Sequence, residues 1–159
     1  MLTTAQFNDN DLQTSKENGV FKCKRSNCYI CKDYLVEGKF VLLENNKLWE
    51  VKSHITCNSK NVLYFQRCIF CDGNCSNIGK TNNFRFRTNV HISSCRLGDK
   101  TDDFDRHVYN CNKDPHKKKK GPFFKLWALM EVDDFSKLIT YENYLHRCGY
   151  DTINRGKPE

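Results

Sequence analysis

Arg87 and His91 lie four residues apart in a stretch, Phe84 to Leu97, that contains neither Gly nor Pro and follows Asn82 and Asn83, either of which can cap a helix. On that helix Phe84, Arg87, His91 and Cys95 project from one face. Lys80 stands just ahead of it, after Asn77-Ile78-Gly79. A guanidinium, an imidazole and an amine grouped in this way suit a phosphate far better than a hydrophobic core. What must position them is a pair of strands. Val62-Leu63-Tyr64-Phe65 is an apolar run of strand length. Asn77 to Thr81 reads as a second, shorter strand that closes on a glycine, where a turn forms without steric penalty.

A second chemistry is written in sulfur. The chain has ten cysteines and no basic-then-apolar leader at its start, which points to metal rather than disulfides. Cys28-x-x-Cys31 and His54-x-x-Cys57 flank two expected strands, Lys39 to Leu43 and Lys47 to Lys52, joined by the turn residues Glu44-Asn45-Asn46. Together they offer four soft ligands for a tetrahedral Zn²⁺, and Cys23 can replace one of them. This segment has too little apolar material to fold unaided, so metal would supply much of its stability. A further site built from Cys68, Cys71 and two of Cys95, His107 and Cys111 would need non-local geometry. Plain structural cysteines are the preferred expectation there.

Downstream, Asp102 or Thr101 should cap a helix running to about Cys111. Residues 112–122, with lysines in tandem at Lys117 to Lys120, read as a loop whose charge is either solvated or laid on a nucleic-acid backbone. The run Phe123 to Val132 is expected to be the central strand, buried on both faces. A last helix should open at Asp134 or Ser136 and end at Gly149, with Phe135, Leu138, Ile139 and Leu145 as its apolar stripe. Glu142 falls on that stripe. A carboxylate there needs a cation, either through a salt bridge to Arg87 or a lysine, or as a ligand to a divalent ion.

A length of 159 residues allows one such domain and a small appendage. We expect a disordered tail over 1–20, a zinc-binding segment over 21–58 and the phosphate-handling domain over 59–156. No apolar run is long enough to span a bilayer, so no membrane partner is expected. The net charge of +7 suits a polyanion, or simply solubility.

Read together, these residues resemble a GIY-YIG nuclease domain. The first signature would be Val62, Leu63 and Tyr64; the second Asn77, Ile78 and Gly79; then come Lys80 and the Arg-x-x-x-His of Arg87 and His91. Among members, the chain is most similar to those of Penelope-like retroelements, in which a cysteine-rich segment precedes the nuclease fold. The resemblance implies an α/β (α+β) fold, a small three-stranded antiparallel sheet flanked by helices and preceded by a zinc-binding hairpin segment. It implies nicking of DNA, with Mg²⁺ or Mn²⁺ held by Glu142 and a closing asparagine at Asn154. Arg87 would neutralise the phosphate, and Tyr64, relayed through Lys80 or His91, would orient or deprotonate water. It further implies an intracellular, nuclear setting and a reverse transcriptase upstream in the parent element. Val-Leu replaces the leading Gly-Ile, and Asn77 replaces the second signature tyrosine. Because asparagine cannot serve as a base, a nucleic-acid-binding module without turnover is the alternative, and a zinc-held protein-interaction domain a third.

Overall fold

In the computed structural model, which describes residues 16–71, 75–98 and 101–153, the run Val62–Phe65 lies in the middle of strand β5 (Lys60–Cys68). This strand is the centre of a three-stranded sheet ordered β6-β5-β7, with β6 at Ser76–Asn83 and β7 at Phe124–Glu131. Both pairings are antiparallel, and Tyr64 lies opposite Gly79 on β6 and Ala128 on β7. Alternation then divides the side chains: Tyr64 shares one face with Gly79, while Leu63 and its partner Lys80 share the other.

Helix α2 (Phe84–Leu97) follows β6 directly, because Asn83 turns extended and its side chain accepts from the Phe86 N–H. It packs on the Tyr64 face, bringing Phe84 and His91 against the Tyr64 ring. Helix α3 (Asp103–Cys111) is capped by Asp102 and packs on α2. Helix α5 (Ser136–Arg147) lies on the opposite face, burying Leu138 and Leu145. Ile139 is exposed rather than part of its apolar stripe.

Two elements differ in kind from what the sequence leads one to expect. The run Phe123 to Val132 is an edge strand, not the central one. It is apolar because the N-terminal segment covers it. Leu35 bridges Leu126, the Val36 N–H donates to the Leu126 carbonyl, and the Trp49 indole N–H donates to the Leu129 carbonyl. The lysine tract is not a loop but the short helix α4 (Pro115–Lys120), with Asp114 accepting from the N–H groups of His116 and Lys117. Aspartate before proline is a sound helix start, since proline has no N–H to satisfy.

The N-terminal segment is built as foreseen around a hairpin, β2 (Phe40–Leu42) with β3 (Leu48–Glu50). Asn45 and Asn46 take positive φ in its turn. Before the hairpin comes a five-residue helix, α1 (Tyr29–Asp33). Of the tail expected over 1–20, residues 1–15 lie outside the described part, whereas β1 (Gly19–Val20) pairs in parallel with β4 (His54–Ile55). Val20, Ile30, Val41 and Ile55 join Leu63, Phe104 and Phe124 in one continuous buried cluster. The segment and the sheet therefore share a core. No helix among the described residues is long and apolar enough to cross a membrane.

Candidate active site and metal centres

On the α2 face, a hydrogen-bonded line runs through the protein interior. The Tyr64 hydroxyl meets His91 Nε2 at 2.8 Å, and His91 Nδ1 meets Asp105 Oδ1 at 2.7 Å. All three side chains are buried. Arg87, one helical turn before His91, brings its charge close to Tyr64 and pairs with Asp102 Oδ2 at 3.1 Å. The other Asp102 oxygen caps α3 by accepting from the Asp105 N–H at 2.9 Å. Burial pushes the Tyr64 phenol above its ordinary range, with the Arg87 charge pulling the other way. Burial likewise raises the Asp105 carboxyl, against the opposing pull of His91.

Gly79 belongs to this line. It sits inside β6 and makes no turn; a methyl group there would lie 2.5 Å from the Tyr64 oxygen. Glycine lets the phenol lie flat over the neighbouring strand. Val62 and Leu63 pair with Thr81 and Lys80 as plain strand residues, and Ile78 is core. Asn77, where the resemblance asks for a tyrosine, donates its amide to Gln66 Oε1 at 3.1 Å.

On the α5 face a different line forms. Lys80 Nζ contacts Glu142 Oε1 at 2.5 Å, His146 Nε2 lies 3.7 Å from Glu142 Oε2, and His146 Nδ1 lies 3.0 Å from Asp151. Asp151 in turn accepts from the Ile78 N–H at 2.9 Å, tying the chain after α5 to the edge of β6. Burial disfavours charge on Glu142, yet His146 and Lys80 hold its carboxyl below the usual range. Burial would also lower His146, but Asp151 and Glu142 raise it to about 9.

The residues singled out in the sequence thus fall into two sets. Tyr64 meets His91 with the Arg87 charge nearby, and His91 rather than Lys80 contacts the phenol. Lys80 and Glu142 meet each other on the far side of the sheet, so a substrate touching both sets must lie across the outer rim of β6. The cation beside Glu142 is Lys80, not Arg87, and Glu142 belongs to no group of three or more potential metal ligands among the described residues. Asn154 lies outside the described residues. Nothing in the sequence marks Asp102 and Asp105 as site residues: they read as helix-capping acids, and only the packing of α3 on α2 reveals them.

The sulfur ligands also assemble, with one substitution. Cys23, Cys28, Cys31 and Cys57 bring their sulfurs within 4.8 Å of one another, a group that can hold a metal ion such as zinc. His54 is not among them. Its ring stacks on Phe21 at 4.7 Å between centroids, and its Nδ1 meets the Glu17 carbonyl at 2.8 Å. The reason is the pairing of β4 with β1, which turns His54 away and leaves Cys57 as the inward ligand. Arg85, in the first turn of α2, donates to Cys28 Sγ at 3.2 Å and to Cys57 Sγ at 3.0 Å. Burial pushes the Cys28 thiol up, but Arg85 and the neighbouring donors bring it down to about 6, toward the thiolate that metal binding needs.

A second group gathers where the sequence favours plain structural cysteines. Cys68, Cys71, His107 and Cys111 also lie within 4.8 Å of one another. The end of β5 with the bend that follows it, and one face of α3, remote in sequence, supply them. His107 and Cys111 are one turn apart, with Cys111 Sγ 3.2 Å from His107 Nε2. Cys95 instead donates to Asp105 at 3.6 Å.

No protein-family model, no curated protein and no solved structure matches this chain.

Proposed function

We propose that the chain is a metal-dependent DNA endonuclease of the GIY-YIG type. The observation that carries this reading is the hydrogen bond between His91 and the Tyr64 hydroxyl, with the Arg87 charge, from the same face of α2, close to that phenol. Support comes also from the sheet, whose two antiparallel signature strands run directly into that helix. Arg87 keeps about a third of its side chain exposed and is the donor for a phosphate oxygen, exchanging Asp102 for the substrate. Tyr64 gives its proton to His91 Nε2 and takes one from the attacking water. Lys80, across the rim, adds positive charge near the departing oxygen. Glu142 offers the carboxylate oxygen that Mg²⁺ or Mn²⁺ prefers, so it would hold the ion once the Lys80 amine gives way. Such an ion supplies Lewis-acid stabilisation of the phosphoryl charge. The two sulfur groups each hold structural zinc. With the reading go a nuclear setting and a reverse transcriptase upstream in the parent element, both carried by the resemblance.

The test is nicking of supercoiled plasmid with Mg²⁺ or Mn²⁺, beside Arg87→Ala and Glu142→Ala. Nicking by the parent and by neither variant is the expected result. The second reading, a binding module without turnover, is favoured by Asn77, whose amide is spent on Gln66 where a second phenol would stand. It predicts a salt-sensitive gel shift and no nicks. Absence of both defeats the two readings together.

A further inference from the structure

We propose that Asp105 is a positioning residue, holding His91 as the Nδ1–H tautomer so that Nε2 is free to take the Tyr64 proton. The inference rests on the nuclease reading for its use in turnover, but its geometry stands apart from it. Nothing in the sequence marks Asp105, which looks like a first-turn acid of α3.

Three observations separate positioning from packing. First, Asp105 is wholly buried, its Oδ1 2.7 Å from His91 Nδ1 and its Oδ2 without a hydrogen-bond partner. A buried carboxylate with one oxygen unmatched destabilises a fold, and an apolar residue would serve packing better. Second, the rival acid is committed elsewhere. Asp102 lies 4.0 Å from the same nitrogen and is taken by Arg87 and by the cap of α3. Third, the carboxylate is itself fixed, since Asp102 ties down the Asp105 N–H and Cys95 donates to its Oδ1 at 3.6 Å.

An ionised carboxylate only accepts, so Nδ1 must donate and Nε2 must present its lone pair to Tyr64. In turnover the Tyr64 O–H bond breaks and its proton rests on Nε2. The imidazolium so formed faces the charge of Asp105, which stays ionised. The phenolate takes a proton from water as the new P–O bond forms and the old one breaks. Solvent protonates the departing oxygen and receives the Nε2 proton, which restores the start. Asp105 neither gains nor loses a proton, the role of the acid in a Ser-His-Asp triad.

The experiment is long-range ¹H–¹⁵N correlation on the ¹⁵N-labelled full chain, with the His91 signals identified by their loss in His91→Gln. The expected pattern is a protonated, pyrrole-like Nδ1 and an unprotonated Nε2. Asp105→Leu should abolish that preference. In the plasmid assay Asp105→Asn and Asp105→Leu should slow turnover about 10²–10⁴-fold with KM unchanged. An Nε2–H tautomer in the parent overturns the proposal, and so does parental turnover in either variant. Should a variant unfold, the parent spectrum still decides the tautomer. A parent that nicks nothing removes the hydrolytic reading, and the tautomer comparison then decides Asp105 alone.

Discussion

Each face of the small sheet carries a histidine between other ionisable groups, His91 wholly buried and His146 half-buried, and the two are set up for opposite ends. His146 lies between Glu142 and Asp151, and these carboxylates hold it protonated to about pH 9. With Lys80 it forms an alternating row of two cations and two anions, fitted for holding α5 and the chain after it onto β6. His91 has a carboxylate on one nitrogen and a neutral phenol on the other. That asymmetry gives a proton somewhere to go. Partner type therefore separates a clasp from a relay, and the two faces can be perturbed independently.

The largest expected effect is metal removal. Zinc binding and folding are one equilibrium in small sulfur-ligated segments, with apparent free energies of about 10–16 kcal/mol in zinc-finger peptides. Metal analysis should give two zinc ions per chain, falling to one in Cys111→Ala. A strong chelator should disorder α2 and the Tyr64 face first, because Arg85 binds the Cys28 and Cys57 sulfurs; hydrogen exchange along α2 and α5 compares the two faces.

Next comes Gly79→Ala. Its methyl would lie 2.5 Å from the Tyr64 hydroxyl oxygen and 2.6 Å from the ring carbon that bears it, so the phenol must leave His91. A stability loss of about 1–3 kcal/mol is expected on urea unfolding, together with loss of nicking. Unchanged turnover would uncouple glycine from relay.

Titration of stability probes the other face. The folded pKa of His146 is raised to about 9, so its contribution is complete below its unfolded value of about 6.5 and is lost as pH climbs through 9. Denaturant midpoints should fall across that window, by at most about 3 kcal/mol in free energy, and His146→Gln should flatten the fall. Smallest is Lys80→Met. It leaves Glu142 with His146 alone, and since the pair is partly exposed the expected loss is about 1 kcal/mol, read from the same urea curves.

Much of this was legible because it is local. Asn83 caps α2, Asn45 and Asn46 make the hairpin turn, and the strand at Val62–Phe65 follows from short-range pattern. What stayed hidden is contact between distant segments. An apolar run such as Phe123 to Val132 looks central whether another strand or a covering segment buries it. Cys23 and His54 are equally good ligands on paper; only the β1–β4 pairing decides between them. Gly79 fits a turn until the Tyr64 ring is found lying on it. The pairing of Asp102 with Arg87 and of Asp105 with His91 depends on the docking of α3 on α2, which no spacing encodes. The partition of Lys80 and Glu142 from Arg87 follows from strand register, and a one-residue shift would reverse it.

The cover over β7 bears on modularity. The boundary near residue 58 invites excision of the sheet and its helices as a free-standing unit. Such a fragment would lose the backbone partners that Tyr34, Val36 and Trp49 supply, leaving a bare strand rim rich in Phe, Leu and Trp. Unsatisfied rims of that kind recruit further strands. The shortened chain should therefore self-associate, and any transplant of this fold has to carry its cysteine-rich front along.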